Sequence, residues 1–158
     1  MREIMIINRV TMSDIDDILP LFSQYMFFYG VELPKNQYIE YLTARLREQE
    51  AFIFAAYDEA SNPVGFVLNY QSFSTVELGK ILVLNDLFVD PDARNQGVAN
   101  RLIQCSIELA RGLNAVRVDL GTAKVNFPAQ SVYEKIGFVK DTRFFSYSLS
   151  INDHQAVC

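Results

Sequence analysis

The stretch Leu84-Asn85-Asp86-Leu87-Phe88-Val89-Asp90-Pro91-Asp92-Ala93-Arg94-Asn95-Gln96-Gly97-Val98-Ala99 reads as the end of a strand, a short turn and the start of a helix. The strand begins near Leu78 and is almost continuously apolar, as expected of a central strand covered on both faces. Apart from Lys80 near its start, Asn85 and Asp86 are its polar residues. Beyond Asp90-Pro91-Asp92, residues Val98, Leu102, Ser106, Leu109 and Leu113 fall on one helical face, widened by Ile103, Ile107 and Ala110. A helix start of this kind offers unpaired backbone N–H groups to an anion. Gly97 lets the backbone approach a ligand without a Cβ, small Ala99 keeps the first turn uncrowded, and Arg94 brings a permanent positive charge. The same residues would also build an ordinary strand-to-helix turn with a surface arginine. Neither G-x-G-x-x-G nor G-x-x-x-x-G-K-[ST] occurs, so dinucleotide and nucleoside-triphosphate binding lose their usual support.

Working outward from this stretch, Ile4 to Val10 reads as a first strand, and Ser13 as the cap of an acidic-started helix that ends near Gly30. Pro34 opens a second helix, with Tyr38, Tyr41, Leu42, Arg45 and Leu46 at helical spacing up to about Glu48. Ala51 to Tyr57 and Val64 to Phe73 are strand-like runs joined by a turn-rich link, a hairpin pattern. Ala115 to Leu120 is the next strand, Asn126 to Ile136 a helix closed by Gly137, and Phe138 to Ser150 a final pair of strands. The order predicts a single-domain α/β fold over 1–150, a mixed sheet flanked by about four helices, followed by a polar tail at 151–158.

The composition fits one globular domain: 158 residues, half of them apolar, with no low-complexity block. A net charge of -5 without a basic stripe argues against nucleic acid as a partner. Cys105 and Cys158 lie far apart and His154 is the only histidine, so neither a metal site nor a Ser-His-Asp hydrolase is expected. The apolar run at the start is too short for a secretory signal, and no run is long enough to span a membrane. A cytoplasmic protein is the expectation.

The segment Arg94-x-x-Gly97-x-Ala99, following Leu84 to Pro91, resembles the acyl-CoA motif of the GNAT superfamily of N-acetyltransferases. A second segment, Asn126-x-x-Ala129-x-x-x-Tyr133-x-x-x-Gly137-Phe138, resembles the superfamily's other core motif, and the element order agrees along nearly the whole chain. The resemblance implies a splayed sheet with acetyl-CoA entering between the fourth and fifth strands. Its pantetheine would pair with backbone around Leu87, Phe88 and Val89, and its pyrophosphate would rest on Arg94, Asn95, Gln96, Gly97, Val98 and Ala99. The sequence departs from the commonest pattern at Ala93, a frequent aromatic, and at Asn95, often glycine, although Asn tolerates unusual backbone angles.

Asn126, Ala129 and Tyr133 share one helix face by spacing. If that face lines the cofactor slot, Asn126 can bond the pantetheine amides, Ala129 leaves room, and Tyr133 can protonate the departing thiolate. Only a neutral amine attacks, and an aliphatic amine has a pKa near ~10.4, so a group must hold the cation or relay its proton. Asp86 is the candidate; the acid that commonly precedes it in the subgroup acting on small amines and amino acids is replaced here by Asn85. Tyr25, Phe28 and Tyr29, in a cluster with Phe22 and Phe27, can form an acceptor wall or cation-π surface, with core packing the competing explanation. Phe144, Phe145 and Tyr147 can close the sheet or support a dimer, and family resemblance makes a homodimer the expectation. Cys105 lies outside these segments, which favours direct attack in a ternary complex over an acetyl-cysteine route.

The resulting expectation is an acetyl-CoA-dependent transferase acting on a primary amine, such as a polyamine or an amino acid. Protein N-termini or lysines are the alternative acceptors, and a non-catalytic acyl-CoA-binding module is the alternative of another class.

Overall fold

The computed structural model describes residues 5–152, which divide into two compact units between Gly121 and Thr122. The first unit runs β1 (Ile6–Arg9), α1 (Ile15–Phe28), α2 (Lys35–Arg47), β2 (Ala51–Tyr57), β3 (Pro63–Ser74), β4 (Gly79–Val89), α3 (Val98–Gly112) and β5 (Ala115–Leu120). The second carries α4 (Phe127–Ile136).

The strands form one sheet in the order β1-β2-β3-β4-β5. Short links make the β2-β3 and β3-β4 pairs antiparallel, whereas the α3 crossover returns the chain parallel to β4. Side-chain alternation then separates two faces. Phe66, Leu68 and Phe88 face a core with Ile18, Leu21 and Phe22 of α1 and Leu42 of α2. On the other face Gly65 meets α3: a Cβ there would lie 3.0 Å from Val98 Cγ1 and 3.2 Å from Leu102 Cδ1. Val98, Leu102, Ile103, Ser106 and Ala110 are the buried stripe of α3, while Leu109 and Leu113 are half-buried. Full burial of an aliphatic side chain such as Leu102 contributes about 1.5–3 kcal/mol, so this stripe anchors the helix whose start forms the turn after β4.

Two local expectations change. Ser13 does not cap α1; it lies in a 3-10 turn (Met12–Asp14), where the Asp14 carboxylate accepts the Thr11 N–H and hydroxyl, each at 2.8 Å. The competing acceptor three residues on from Thr11 decides the start. In the second unit, residues 138–150 form no strand. The Asp141 carboxylate accepts from Arg143 N–H at 2.8 Å and Phe144 N–H at 3.3 Å, and this turn breaks the segment. Phe145, Tyr147 and Leu149 alternate like a strand face but lie exposed, without a ladder. Ile4, His154 and Cys158 lie outside the described residues.

Candidate active site

The site begins with an irregularity in β4. Leu84 pairs with Asn69 and Asp86 with Leu68, leaving Asn85 as the extra residue of a β-bulge. The bulge changes the parity of the strand: Leu84 faces the α3 side with Asn69, whereas Asp86 and Phe88 face the α1 side with Leu68 and Phe66. The β4-β5 pairing also stops here, at Leu84 with Leu120, so Asn85 to Val89 extend past the last β5 partner. The sheet therefore opens between β4 and β5 along Leu87, Phe88 and Val89, the residues expected to meet pantetheine.

After β4, the Asp90 carboxylate caps a 3-10 turn (Pro91–Ala93) by accepting the Asp92 N–H at 2.9 Å. Arg94 is tied back to the strand end: its Nε donates to the Val89 carbonyl at 3.0 Å, and its guanidinium lies 5.8 Å from the centre of the Phe88 ring. This leaves its terminal nitrogens without a partner among the described residues. Asn95 has φ 61° and Gly97 φ 79°, both left-handed, so the departure from glycine at 95 is met by a residue that enters this region with little penalty. Gly97 is the N-cap of α3, no side chain caps the helix, and a Cβ on Gly97 would have nothing within 4 Å. Open space beside Gly97, uncapped helix N–H groups and an arginine tied to the strand end match the donor set that a pyrophosphate requires.

On the α1 side of β4 lies a cavity of about 450 Å³. Five of the protein's eight tyrosines line it: Tyr25, Tyr29, Tyr38, Tyr41 and Tyr70. Among the described residues Asp86 is its one carboxylate. The Tyr25 hydroxyl and, at 3.1 Å, Asn85 Nδ2 both donate to Asp86 Oδ1, so Oδ2 takes no hydrogen bond among the described residues. Burial, then the bond to Asp86, pushes the Tyr25 hydroxyl far above the ordinary tyrosine range. Burial and the hydrogen bond with Tyr41 do the same to Tyr70, the two hydroxyls lying 2.7 Å apart.

Tyr25 and Tyr29 lie on the cavity wall with ring centres 5.0 Å apart. Phe28 does not line the cavity; it packs on the Tyr29 ring at 5.2 Å and is 69% exposed. Phe22, Tyr25, Met26 and Tyr29 follow the i, i+3, i+4, i+7 spacing of one face, and Phe28 falls off it. The wall also includes Tyr38 and Tyr41 of α2 and Tyr70 of β3, none of which the sequence marked as site residues. Their one signal is the number of tyrosines in a chain with no tryptophan.

In the second unit Asn126 caps α4, its Oδ1 accepting the Ala129 N–H at 3.3 Å, with Pro128 within the first turn. Gly137, at φ 120°, ends the helix. The Asn126 side-chain oxygen thus orders the helix itself, leaving the amide nitrogen as the side chain's hydrogen-bond donor. Tyr133 is half-buried and packs edge-on against Phe138, ring centres 6.0 Å apart.

A family model described as "Acetyltransferase (GNAT) family" matches residues 15–138. The chain is 37% identical over 145 residues to "Uncharacterized N-acetyltransferase YhfO" of Bacillus subtilis (strain 168), covering 92% of this chain and 97% of that one. Among solved structures, the crystal structure of a probable acetyltransferase aligns with a TM-score of 0.87 and 39% identity, over 94% of this chain and 99% of that one. A predicted acetyltransferase with acetyl-CoA from Clostridium acetobutylicum shares the fold at a TM-score of 0.76 and 18% identity, over 97% and 100% of the two chains.

Proposed function

Because the chain belongs to the GNAT family and is an acetyl-CoA-dependent acetyltransferase, we propose that its acceptor is a small primary amine held in the tyrosine-lined cavity with its ammonium on Asp86. The observation that carries the reading is the Asp86 carboxylate: one oxygen is fixed by Tyr25 and Asn85, and the other remains as an acceptor inside an aromatic cavity beside the opening of the sheet.

Bound acetyl-CoA supplies the thioester that the amine attacks, with a thiolate as leaving group. The Arg94-to-Ala99 turn holds the pyrophosphate on its N–H groups, each charge-assisted contact contributing roughly 1.5–3 kcal/mol. The backbone of Leu87, Phe88 and Val89 takes the pantetheine amides; in the second unit Asn126 is a further donor to the cofactor and Ala129 a small residue that gives it room. Asp86 holds the ammonium and takes its proton, directly or through water, so that the neutral amine can attack. Tyr133 gives a proton to the departing sulfur. A cavity of about 450 Å³ suits a small molecule better than a folded protein surface.

We extend the reading to the setting. The chain acts in the cytoplasm, which suits the unpaired thiol of Cys105, and as a homodimer, which would cover the exposed Phe144, Phe145 and Tyr147. Among the described residues, no helix is long and apolar enough to cross a membrane.

The test is acetyl-CoA turnover with a panel of small amines, followed through thiol release and product mass, for the native protein and Asp86→Asn. The expected result is acetylation of at least one small amine, with kcat/KM about 100-fold lower in Asp86→Asn. Equal rates in the two proteins would remove Asp86 from its role.

A further inference from the structure

Given that the amine is seated in the tyrosine-lined cavity, as proposed above, we infer that the acceptor is a monoamine: one primary ammonium on an apolar body, taken in preference to diamines, polyamines and amino acids with a free carboxylate.

The first ground is charge. Among the described residues the cavity lining holds one carboxylate, Asp86, and no lysine, arginine or histidine. Asp86 Oδ1 already accepts two hydrogen bonds, so Oδ2 offers a place for a single ammonium. The Tyr25 and Tyr29 rings stand on the same wall, where their faces can attract that cation.

The second ground is how the tyrosines spend their hydroxyls. The Tyr25 hydroxyl is committed to Asp86. The Tyr38 hydroxyl accepts the Leu33 N–H at 2.9 Å and donates toward the Val31 carbonyl at 3.4 Å. The Tyr41 and Tyr70 hydroxyls are bonded to each other at 2.7 Å. Four of the five lining tyrosines therefore have their hydroxyls engaged within the protein and offer mainly ring surface to a guest. Phe22, Met26, Val31, Leu33 and Leu68 make up most of the remaining wall.

A second ammonium placed against such a wall would lose its water without gaining a counter-charge, which is costly. A carboxylate next to the amine would meet the same desolvation and also the charge of Asp86. Arg45 does not relieve this: its guanidinium lies 5.1 Å from the Tyr41 ring centre, is paired with Glu50 at 2.6 Å, and does not line the cavity. An aryl or alkyl body, by contrast, gains the burial of its whole apolar surface.

The experiment compares matched pairs with saturating acetyl-CoA: 2-phenylethylamine against phenylalanine, and hexylamine against 1,6-diaminohexane, with a short peptide bearing a free N-terminus as a further acceptor. We expect kcat/KM for each monoamine to exceed that of its charged counterpart by about tenfold or more, since a difference of ~1.4 kcal/mol suffices for that factor. Leu33 lines the rim and is 47% exposed, so Leu33→Glu can add a second carboxylate with little risk to folding. It should raise the diamine-to-monoamine ratio by about tenfold, or ~1.4 kcal/mol. Phenylalanine or the diamine matching its monoamine, or a ratio unmoved by Leu33→Glu, would overturn the monoamine assignment while leaving a small-amine acetyltransferase in place. Acetylation of the peptide alone, or of nothing by protein that still binds acetyl-CoA, would overturn the small-amine reading as well.

Discussion

The Tyr25 hydroxyl of α1 donates to Asp86 Oδ1 of β4, joining two residues 61 positions apart in the chain. This bond fixes the carboxylate at the bulge and orients its other oxygen, which in the reaction proposed above makes Tyr25 a positioning residue for Asp86. Tyr25→Phe keeps the ring that packs on Phe66 and Phe88 and removes the bond alone. A hydrogen bond to a charged group contributes about 1.5–3 kcal/mol, so kcat/KM for a small amine should fall about 10- to 100-fold. Its pH profile should shift as well, and the affinity for acetyl-CoA should stay unchanged. Steady-state kinetics across pH, with calorimetric titration of acetyl-CoA, checks this; an unaltered kcat/KM would refute the positioning role.

The Gly97 turn makes a separate prediction about the acyl donor. At φ 79° a non-glycine residue is strained by roughly 1–2 kcal/mol, and its side chain would project into space that no protein atom occupies within 4 Å. Gly97→Leu should weaken acetyl-CoA binding about 10- to 100-fold, with a melting temperature lowered by only a few degrees. Unchanged donor affinity would show that the pyrophosphate lies elsewhere.

For Tyr133, the expected loss is in the rate of the chemical step. Tyr133→Phe should lower kcat about 100-fold while leaving the Kd of acetyl-CoA within about threefold, the behaviour of a proton donor to the leaving group. Full turnover by this variant across the pH range would eliminate the role.

Alkaline stability tests the buried hydroxyls. Burial and the Asp86 bond raise the folded-state pKa of Tyr25 above the ordinary value near ~10 that it has when unfolded. Its contribution to stability is therefore fully present below about pH 10 and is lost as pH climbs from there through the folded value. Denaturant unfolding at several points between about pH 8 and 11 should show native protein losing stability faster than Tyr25→Phe above about pH 10. Parallel curves for the two proteins would contradict this account.

How much of this was legible in the sequence follows from where the forces act. The strand-turn-helix segment was readable because Asp90, Pro91, Gly97 and the α3 stripe act locally, and the structure has those elements within a residue or two. The bulge at Asn85 was not: Leu82 and Leu84 face the α3 side while Phe88 faces the α1 side, and an apolar run on both halves hides the change of parity. Tyr25 and Tyr29 could be marked from their helix. Tyr38, Tyr41 and Tyr70 come from α2 and β3 and converge only through sheet register and helix packing, which no local spacing reports. Residues 138–150 show the reverse failure, since alternation describes a strand's faces without supplying a neighbour to pair with.

The gathering of tyrosines around the cavity has an optical consequence. With no tryptophan in the chain, tyrosine dominates its ultraviolet emission, and five of the eight tyrosines stand on the wall that would meet an acceptor. A guest that shields those rings or disturbs the Tyr41-Tyr70 hydroxyl contact changes the light that most of the protein's tyrosines emit. The native protein thus carries its own reporter of acceptor binding, one that needs neither a label nor turnover.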